Sequence, residues 1–399
     1  MSEPSASSWF SKETLSRLAL SRTVPTEAFG VDLPTYRPKP WLFSGQLQTA
    51  RVPFSKASGL HRKYPSRRLV LPLDDGSGDA MDCYHYWPAD TPQAPSPDNE
   101  KPLFLLLHGL GGHAHSAYVS CSAESLLAAG YPVLMPNFRG AGSGRDLAQV
   151  LHHPGRSEDI DLLMRALERD EPDLVTPTTI AVGYSLGGHL LLKFLADYEV
   201  GTSDNHEQFR GAVTVSAPLA LSKTSLALSR WANYPFNLYL LRKIKQDSLR
   251  ENSNLTDSER TALKAARTVR QVDETVTGPR LGFDGAEAYY AANSAIDELS
   301  EIALPTVMIH SADDPFVPQA DYDHESLVGN DCLDTVLLPD GGHVGFFTGQ
   351  AGSRWLDRTL IELMRQRFWQ HSPCGRPDDR TPERDVAAEG SAESSTESS

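Results

Sequence analysis

The sequence predicts an α/β protein built on a mostly parallel, doubly wound sheet of eight strands that is interrupted by a helical insertion. Three observations carry this. Short apolar runs alternate with amphipathic stretches of helical period along most of the chain. One of those runs, Thr179 to Val182, ends in Gly183-Tyr184-Ser185-Leu186-Gly187 and passes directly into a helical pattern. Finally, about 80 residues from Leu221 to Ala303 separate two strands and read largely as helix, because a connection that long must have structure of its own.

Taken in order, strands are expected at Arg68 to Leu73, Asp82 to Trp87, Leu103 to Leu107, Pro132 to Pro136, Thr179 to Val182, Gly211 to Ser216, Thr306 to His310 and Asp334 to Leu338. Several are continuous apolar runs rather than alternating ones, as a sheet covered on both faces requires. Helices are expected at Ala117 to Ala129, Glu158 to Arg169, Leu186 to Tyr198 and Ser353 to Trp369. The first two strands follow one another without a helix, which predicts antiparallel pairing at the N-terminal edge. The resulting organisation is an N-terminal extension over 1–40, a core over 41–220 and 304–371, a helical lid over 221–303, and a Ser/Glu/Ala-rich acidic tail over 372–399 expected to be disordered.

Composition narrows the function. Of 399 residues 40% are hydrophobic and 22% charged, ordinary for a soluble enzyme, and the net charge of −15 opposes binding to nucleic acid or to an anionic membrane. Cys83, Cys121, Cys332 and Cys374 show neither paired spacing nor a CxxC, so reduced thiols are expected. Met1 to Pro25 contains no apolar core of signal-peptide length, and no run approaches the ~20 apolar residues of a membrane span. A cytoplasmic protein is the expectation.

The chemistry is expected at Ser185, at the apex of a strand-turn-helix whose flanking glycines keep Cβ atoms out of a crowded turn. A serine hydroxyl is a poor nucleophile until a base takes its proton and an acid orients that base. Both occur downstream, beyond the ends of strands. Ser311-Ala312-Asp313-Asp314-Pro315-Phe316 supplies the acid, Asp314 with Asp313 as the alternative, and Gly341-Gly342-His343-Val344-Gly345 supplies the base, His343. The strand Leu103 to Leu107 ends in His108-Gly109-Leu110-Gly111-Gly112, a flexible backbone suited to an oxyanion hole, whose donors, by the pattern of the α/β-hydrolases that this site resembles, would be the N–H groups of Leu110 and Leu186. His108, His113 and His115 sit at a turn without a companion carboxylate or cysteine, so no metal is expected there.

The order Ser, Asp, His is that of the α/β-hydrolases. From about Trp41 to Trp369 the chain resembles the YheT-like esterase/lipase branch of that superfamily. The residues carrying the likeness are Gln46-Leu47-Gln48-Thr49, His108-Gly109-Leu110-Gly111-Gly112, Asn137-Phe138-Arg139-Gly140, Glu158-Asp159-Ile160, Gly183-Tyr184-Ser185-Leu186-Gly187-Gly188, Tyr289-Tyr290, Asp313-Asp314-Pro315-Phe316 and Gly341-Gly342-His343-Val344-Gly345. One departure is Leu151-His152-His153-Pro154-Gly155, where similar proteins often carry a tyrosine.

The resemblance implies an α/β-hydrolase fold, a charge-relay system at Ser185, Asp314 and His343, and hydrolysis of carboxylic esters, short-chain or monoacylglycerol-like, without a cofactor. Two other readings stand beside it. One is an acyltransferase on the same fold, and the other is a noncatalytic ligand-binding module. The insertion's apolar cluster, Trp231, Tyr234, Phe236, Tyr239, Leu240 and Leu241, is expected to pack the lid or to touch an acyl chain.

Overall fold

The computed structural model describes residues 24–55, 59–89, 101–149, 152–175, 178–197, 209–250, 253–327, 329–348 and 354–368. A hairpin, β1 (Val24–Ala28) and β2 (Val31–Tyr36), comes first. One sheet then gathers β3 (Ser66–Pro72), β4 (Ala80–Tyr86), β5 (Leu103–Leu107), β6 (Val133–Asn137), β7 (Thr179–Tyr184), β8 (Phe209–Val215), β9 (Thr306–Ser311) and β10 (Leu333–Leu338). Their spatial order is β3-β4-β6-β5-β7-β8-β9-β10. Strand β4 runs antiparallel to both β3 and β6, and the other pairings are parallel. All eight strands read from the sequence are present, each end within about two residues of its expected place.

The central strands form because their side chains are apolar on both faces and the pleat sends neighbours to opposite sides. Leu103, Leu105 and Leu107 enter one core with Leu134, Ala181 and Leu190. Phe104 and Leu106 enter the other with Met135, Ile180 and Val213. Helices α2 (Ala117–Ala128) and α10 (Trp355–Leu363) cover that second face, while α3 (Glu158–Asp170) and α4 (Leu186–Ala196) cover the first. A short helix, α1 (Gly45–Arg51), precedes the sheet. Every residue from Leu186 to Leu195 is buried, and Lys193 reaches out of that packing to Glu298, its Nζ 2.7 and 2.6 Å from the two carboxylate oxygens.

Between β8 and β9 lie α5 (Leu221–Leu228), α6 (Tyr234–Ser248), α7 (Asp257–Ala265), α8 (Val269–Val272) and α9 (Gly285–Asn293). Their termini are encoded locally. Thr256 caps α7, accepting from the Glu259 amide while the Glu259 carboxylate accepts from the Thr256 amide. This reciprocal cap satisfies two N–H groups that a helix start would otherwise leave open.

Two expectations need amendment. The N-terminal extension contains the β1/β2 hairpin, which packs against β10 and α10: the Phe29 amide donates to Asp334, the Trp355 indole N–H donates to the Pro34 carbonyl, and Tyr36 meets Trp355 edge-on at 5.8 Å. Pro25 and Pro34 disguise it, since proline argues against a strand except at an edge. The second amendment concerns sulfur. Cys83 is a free, buried thiol, but Cys332 is disulfide-bonded. Pairing needs only Cα atoms within reach in space, which sequence spacing does not report. The expected signal-free N-terminus and the acidic tail lie outside the described residues, as does Cys374. Among the described residues, no helix is long and apolar enough to cross a membrane.

Candidate active site

The site is assembled where three loops leave the C-terminal ends of parallel strands, the side on which open α/β sheets hold their chemistry. Ser185 follows β7 directly and has φ 53° and ψ −121°, a conformation costing a non-glycine residue about 1–3 kcal/mol. What holds it there is a neighbourhood with no slack. A Cβ on Gly183 would lie 2.6 Å from the Gly187 carbonyl oxygen, and one on Gly187 would lie 2.5 Å from the carbonyl oxygens of both Leu107 and His108. The Ser185 amide donates to the Val215 carbonyl at 2.8 Å, which fixes the turn to β8. With the backbone pinned, the side chain projects past the sheet edge instead of into the core.

His343 sits on the loop after β10, and three distant groups restrain its backbone. Its amide donates to Thr49 Oγ1 at 2.8 Å, the Gly342 amide donates to Asp313 Oδ1 at 2.8 Å, and the Val344 amide donates to Ser216 Oγ at 3.1 Å. The side chain lies 2.7 Å by Nε2 from Ser185 Oγ and 2.8 Å by Nδ1 from Asp314 Oδ2. With Nδ1–H donating to the carboxylate, Nε2 is left as the acceptor for the serine hydroxyl. The imidazole is 13% exposed and the Asp314 side chain 0%, so the pair is shielded while the histidine retains access from the cleft.

The two adjacent aspartates differ in what they face. Asp314 Oδ1 accepts from the Phe316 and Val317 amides at 2.8 and 3.1 Å, while Oδ2 faces His343. Burial by itself would raise this carboxyl, but the neighbouring imidazole and the hydrogen bonds to the ionised form outweigh it and hold the group below its ordinary value. Asp313 turns toward Ser311 Oγ and the Gly342 amide instead, and burial pushes its carboxyl up. Chain alternation between neighbours separates the two roles.

Leu110 and Leu186 line one cleft with Ser185 and His343. Among the described hydrogen bonds none is donated by either amide, whereas the neighbouring Gly109 amide donates to Tyr118 Oη at 2.8 Å. The cleft has a volume of about 730 Å³. Of the insertion's apolar cluster, Phe236, Tyr239 and Leu240 face it, Leu241 is buried in the core, and Trp231 and Tyr234 are exposed and do not line it. His108 is engaged structurally: Nδ1–H donates to the Gly109 carbonyl at 2.9 Å, Nε2 accepts from the Phe138 amide at 3.1 Å, and burial lowers its pKa to about 4. His115 meets Tyr86 Oη at 2.9 Å. The divergent loop brings His152 flat against Phe138, ring centroids 4.3 Å apart, beside a smaller neighbouring cavity.

Sequence reasoning missed Thr49 and Ser216 as holders of the histidine loop. Thr49 lay within a stretch already marked by its family resemblance, but no local pattern ties it to a residue almost 300 positions away. Ser216 has a left-handed φ of 52°, which the sequence does not announce.

Residues 102–350 match the family described as the alpha/beta hydrolase fold. The Escherichia coli protein named "Putative esterase YheT" is 31% identical over 307 residues, covering 75% of this chain and 84% of that protein. A Saccharomyces cerevisiae monoacylglycerol lipase is 27% identical, with 72% of this chain and 64% of the yeast protein aligned. The human phospholipase ABHD3 is 24% identical over 83% of this chain and 78% of its own length. The chain belongs to the α/β-hydrolase superfamily, in its YheT-like branch.

Proposed function

We propose that this protein hydrolyses carboxylic esters, short-chain or monoacylglycerol-like, through an acyl-enzyme formed on Ser185. As Ser185 Oγ bonds to the ester carbonyl carbon, His343 Nε2 takes its proton, and the tetrahedral oxyanion is held by the amides of Leu110 and Leu186. Collapse breaks the carbon–oxygen bond to the alcohol, which leaves with the proton returned from His343. Water then repeats the sequence on the acyl-enzyme, releasing the acid and restoring Ser185. Asp314 orients the imidazole and stabilises its charged form.

The observation that carries the reading is the imidazole bridging Ser185 Oγ and Asp314 Oδ2 at 2.7 and 2.8 Å beside the cleft. The esterase and lipase names of the relatives support ester substrates, and the apolar wall of Phe236, Tyr239 and Leu240 suits an acyl chain. We read the helices over 221–303 as the lid of that cleft. The test is an ester panel graded by acyl length, p-nitrophenyl esters and monoacylglycerols, assayed with wild type and folded Ser185→Ala. Hydrolysis confined to wild type is expected, and a variant that retains most of the activity would sink the proposal.

A further inference from the structure

We propose that the mouth of the cleft is a docking surface for an anionic lipid bilayer. The inference rests on the surface around the cleft, and it stands whether or not Ser185 is the nucleophile. Among the described residues, eleven large hydrophobic side chains are exposed, and nine of them fall in two short segments. Trp41, Phe43, Leu47 and Phe54 surround α1, with Phe54 72%, Phe43 62% and Trp41 60% exposed. Leu226, Trp231, Tyr234, Leu238 and Tyr239 lie on α5, α6 and the turn between them, and Trp231 is 90% exposed. Scattered apolar residues on a surface need no explanation, but a concentration of this kind does.

The segments are neighbours in space. Gly45 packs directly on the Asp313 carbonyl, and Asn233 Nδ2 donates to the Pro315 carbonyl at 2.6 Å, so both flank the same short loop. Both also border the cleft, one through Val52, Pro53 and Phe54 and the other through Pro235, Phe236 and Tyr239. Phe54 and Tyr239 line the cleft itself, and the other exposed apolar residues extend from it along the same two segments.

Charge selects the occupant. Residues 39–54 and 226–245 contain Lys39, Arg51, Arg230, Arg242, Lys243 and Lys245 and not one aspartate or glutamate, in a chain of net charge −15. Lys39 also sits over the Trp41 ring at 5.6 Å. Tryptophan and tyrosine flanked by cations suit the boundary between headgroups and acyl chains, where the rings bury their apolar bodies and the cations meet lipid phosphates. The acidity of the rest of the chain opposes approach only over the Debye length of about 10 Å. An acidic protein can therefore carry one face that anionic lipid attracts. In such a pose the cleft opens onto the bilayer, from which an ester tail could enter without crossing water.

The experiment is cosedimentation of the full chain with phosphatidylcholine vesicles containing about 30 mol% phosphatidylglycerol, and with phosphatidylcholine alone, at low and high salt. One variant combines Trp41→Ser, Phe43→Ser and Trp231→Ser, none of which lines the cleft. A second combines Arg230→Glu with Arg242→Glu. The proposal predicts wild-type binding to the anionic vesicles, at least about tenfold weaker in the aromatic variant and salt-sensitive. It also predicts that the arginine variant loses the preference for phosphatidylglycerol. Circular dichroism and turnover of a water-soluble short-chain ester should be unchanged in both variants. Absence of wild-type binding to either vesicle would overturn the proposal, as would undiminished binding of the aromatic variant. So would ultracentrifugation showing that wild type is a dimer that the aromatic substitutions dissociate, because the rim would then be an interface between two copies.

Discussion

The sheet edge that carries Ser185 and His343 and the helical insertion beside it are built by opposite rules. At the sheet edge every position is spoken for: Ser185 holds a left-handed φ, a Cβ on Gly187 would lie 2.5 Å from two carbonyl oxygens, and the His343 loop is tied by Asp313, Thr49 and Ser216. On the insertion, Trp231 is 90% exposed, and Tyr234 and Leu238 are 45% and 43% exposed. Relay geometry depends on sub-ångström placement, so rigidity belongs where bonds are made, while recognition can be left to side chains free to meet a partner. Changes at the sheet edge should therefore cost activity or stability heavily, and changes on the insertion's outer face should cost neither.

The largest expected effect comes from His343→Ala, which removes the proton acceptor and should lower kcat on a soluble ester by about 10⁶-fold. Steady-state kinetics on a variant with unchanged circular dichroism measures it, and a drop below tenfold would break the account of the edge. Asp314→Asn should cost about 10⁴-fold, because it leaves the histidine without its charged partner. Gly187→Ala is expected to destabilise by about 3 kcal/mol, read as a shift in the urea midpoint, since a methyl there meets backbone on a fully buried helix.

Asp313→Asn sharpens the contrast between the adjacent carboxylates. It should cost about 1 kcal/mol of stability through the Gly342 bond and change kcat by less than about threefold. A kcat loss as large as that of Asp314→Asn would exchange their assignments. Smallest of all, Trp231→Ser should leave the urea midpoint within about 0.5 kcal/mol of wild type, and a larger loss would mean that the exposed ring is packed in solution.

Much of this was legible in the sequence, and the reasons are physical. The central strands announced themselves because a sheet buried on both faces leaves uninterrupted apolar runs, and Ser185 did because its turn tolerates few residues besides glycine at 183 and 187. The β1/β2 hairpin was hidden by its prolines, at an edge where a missing donor costs little. The pattern favoured Asp314 but left Asp313 as the alternative, since the distinction is the direction in which each side chain leaves the backbone. Thr49 illustrates the general limit: a threonine hydroxyl accepting from an amide 294 residues away is a product of the closed fold, and nothing local encodes it. The docking rim was obscured by averaging, because a net charge of −15 says nothing about where the cations are.

The central claim is that Ser185 is an activated nucleophile, and the most direct measurement is covalent labelling by a fluorophosphonate. Wild type and Ser185→Ala, both shown by circular dichroism to be folded, would be treated with the probe and digested, and the modified peptide identified by mass spectrometry. The account predicts one adduct, on the peptide containing Ser185, absent from the variant. An adduct on another serine that survives in the variant, or an unlabelled folded wild type, would contradict it.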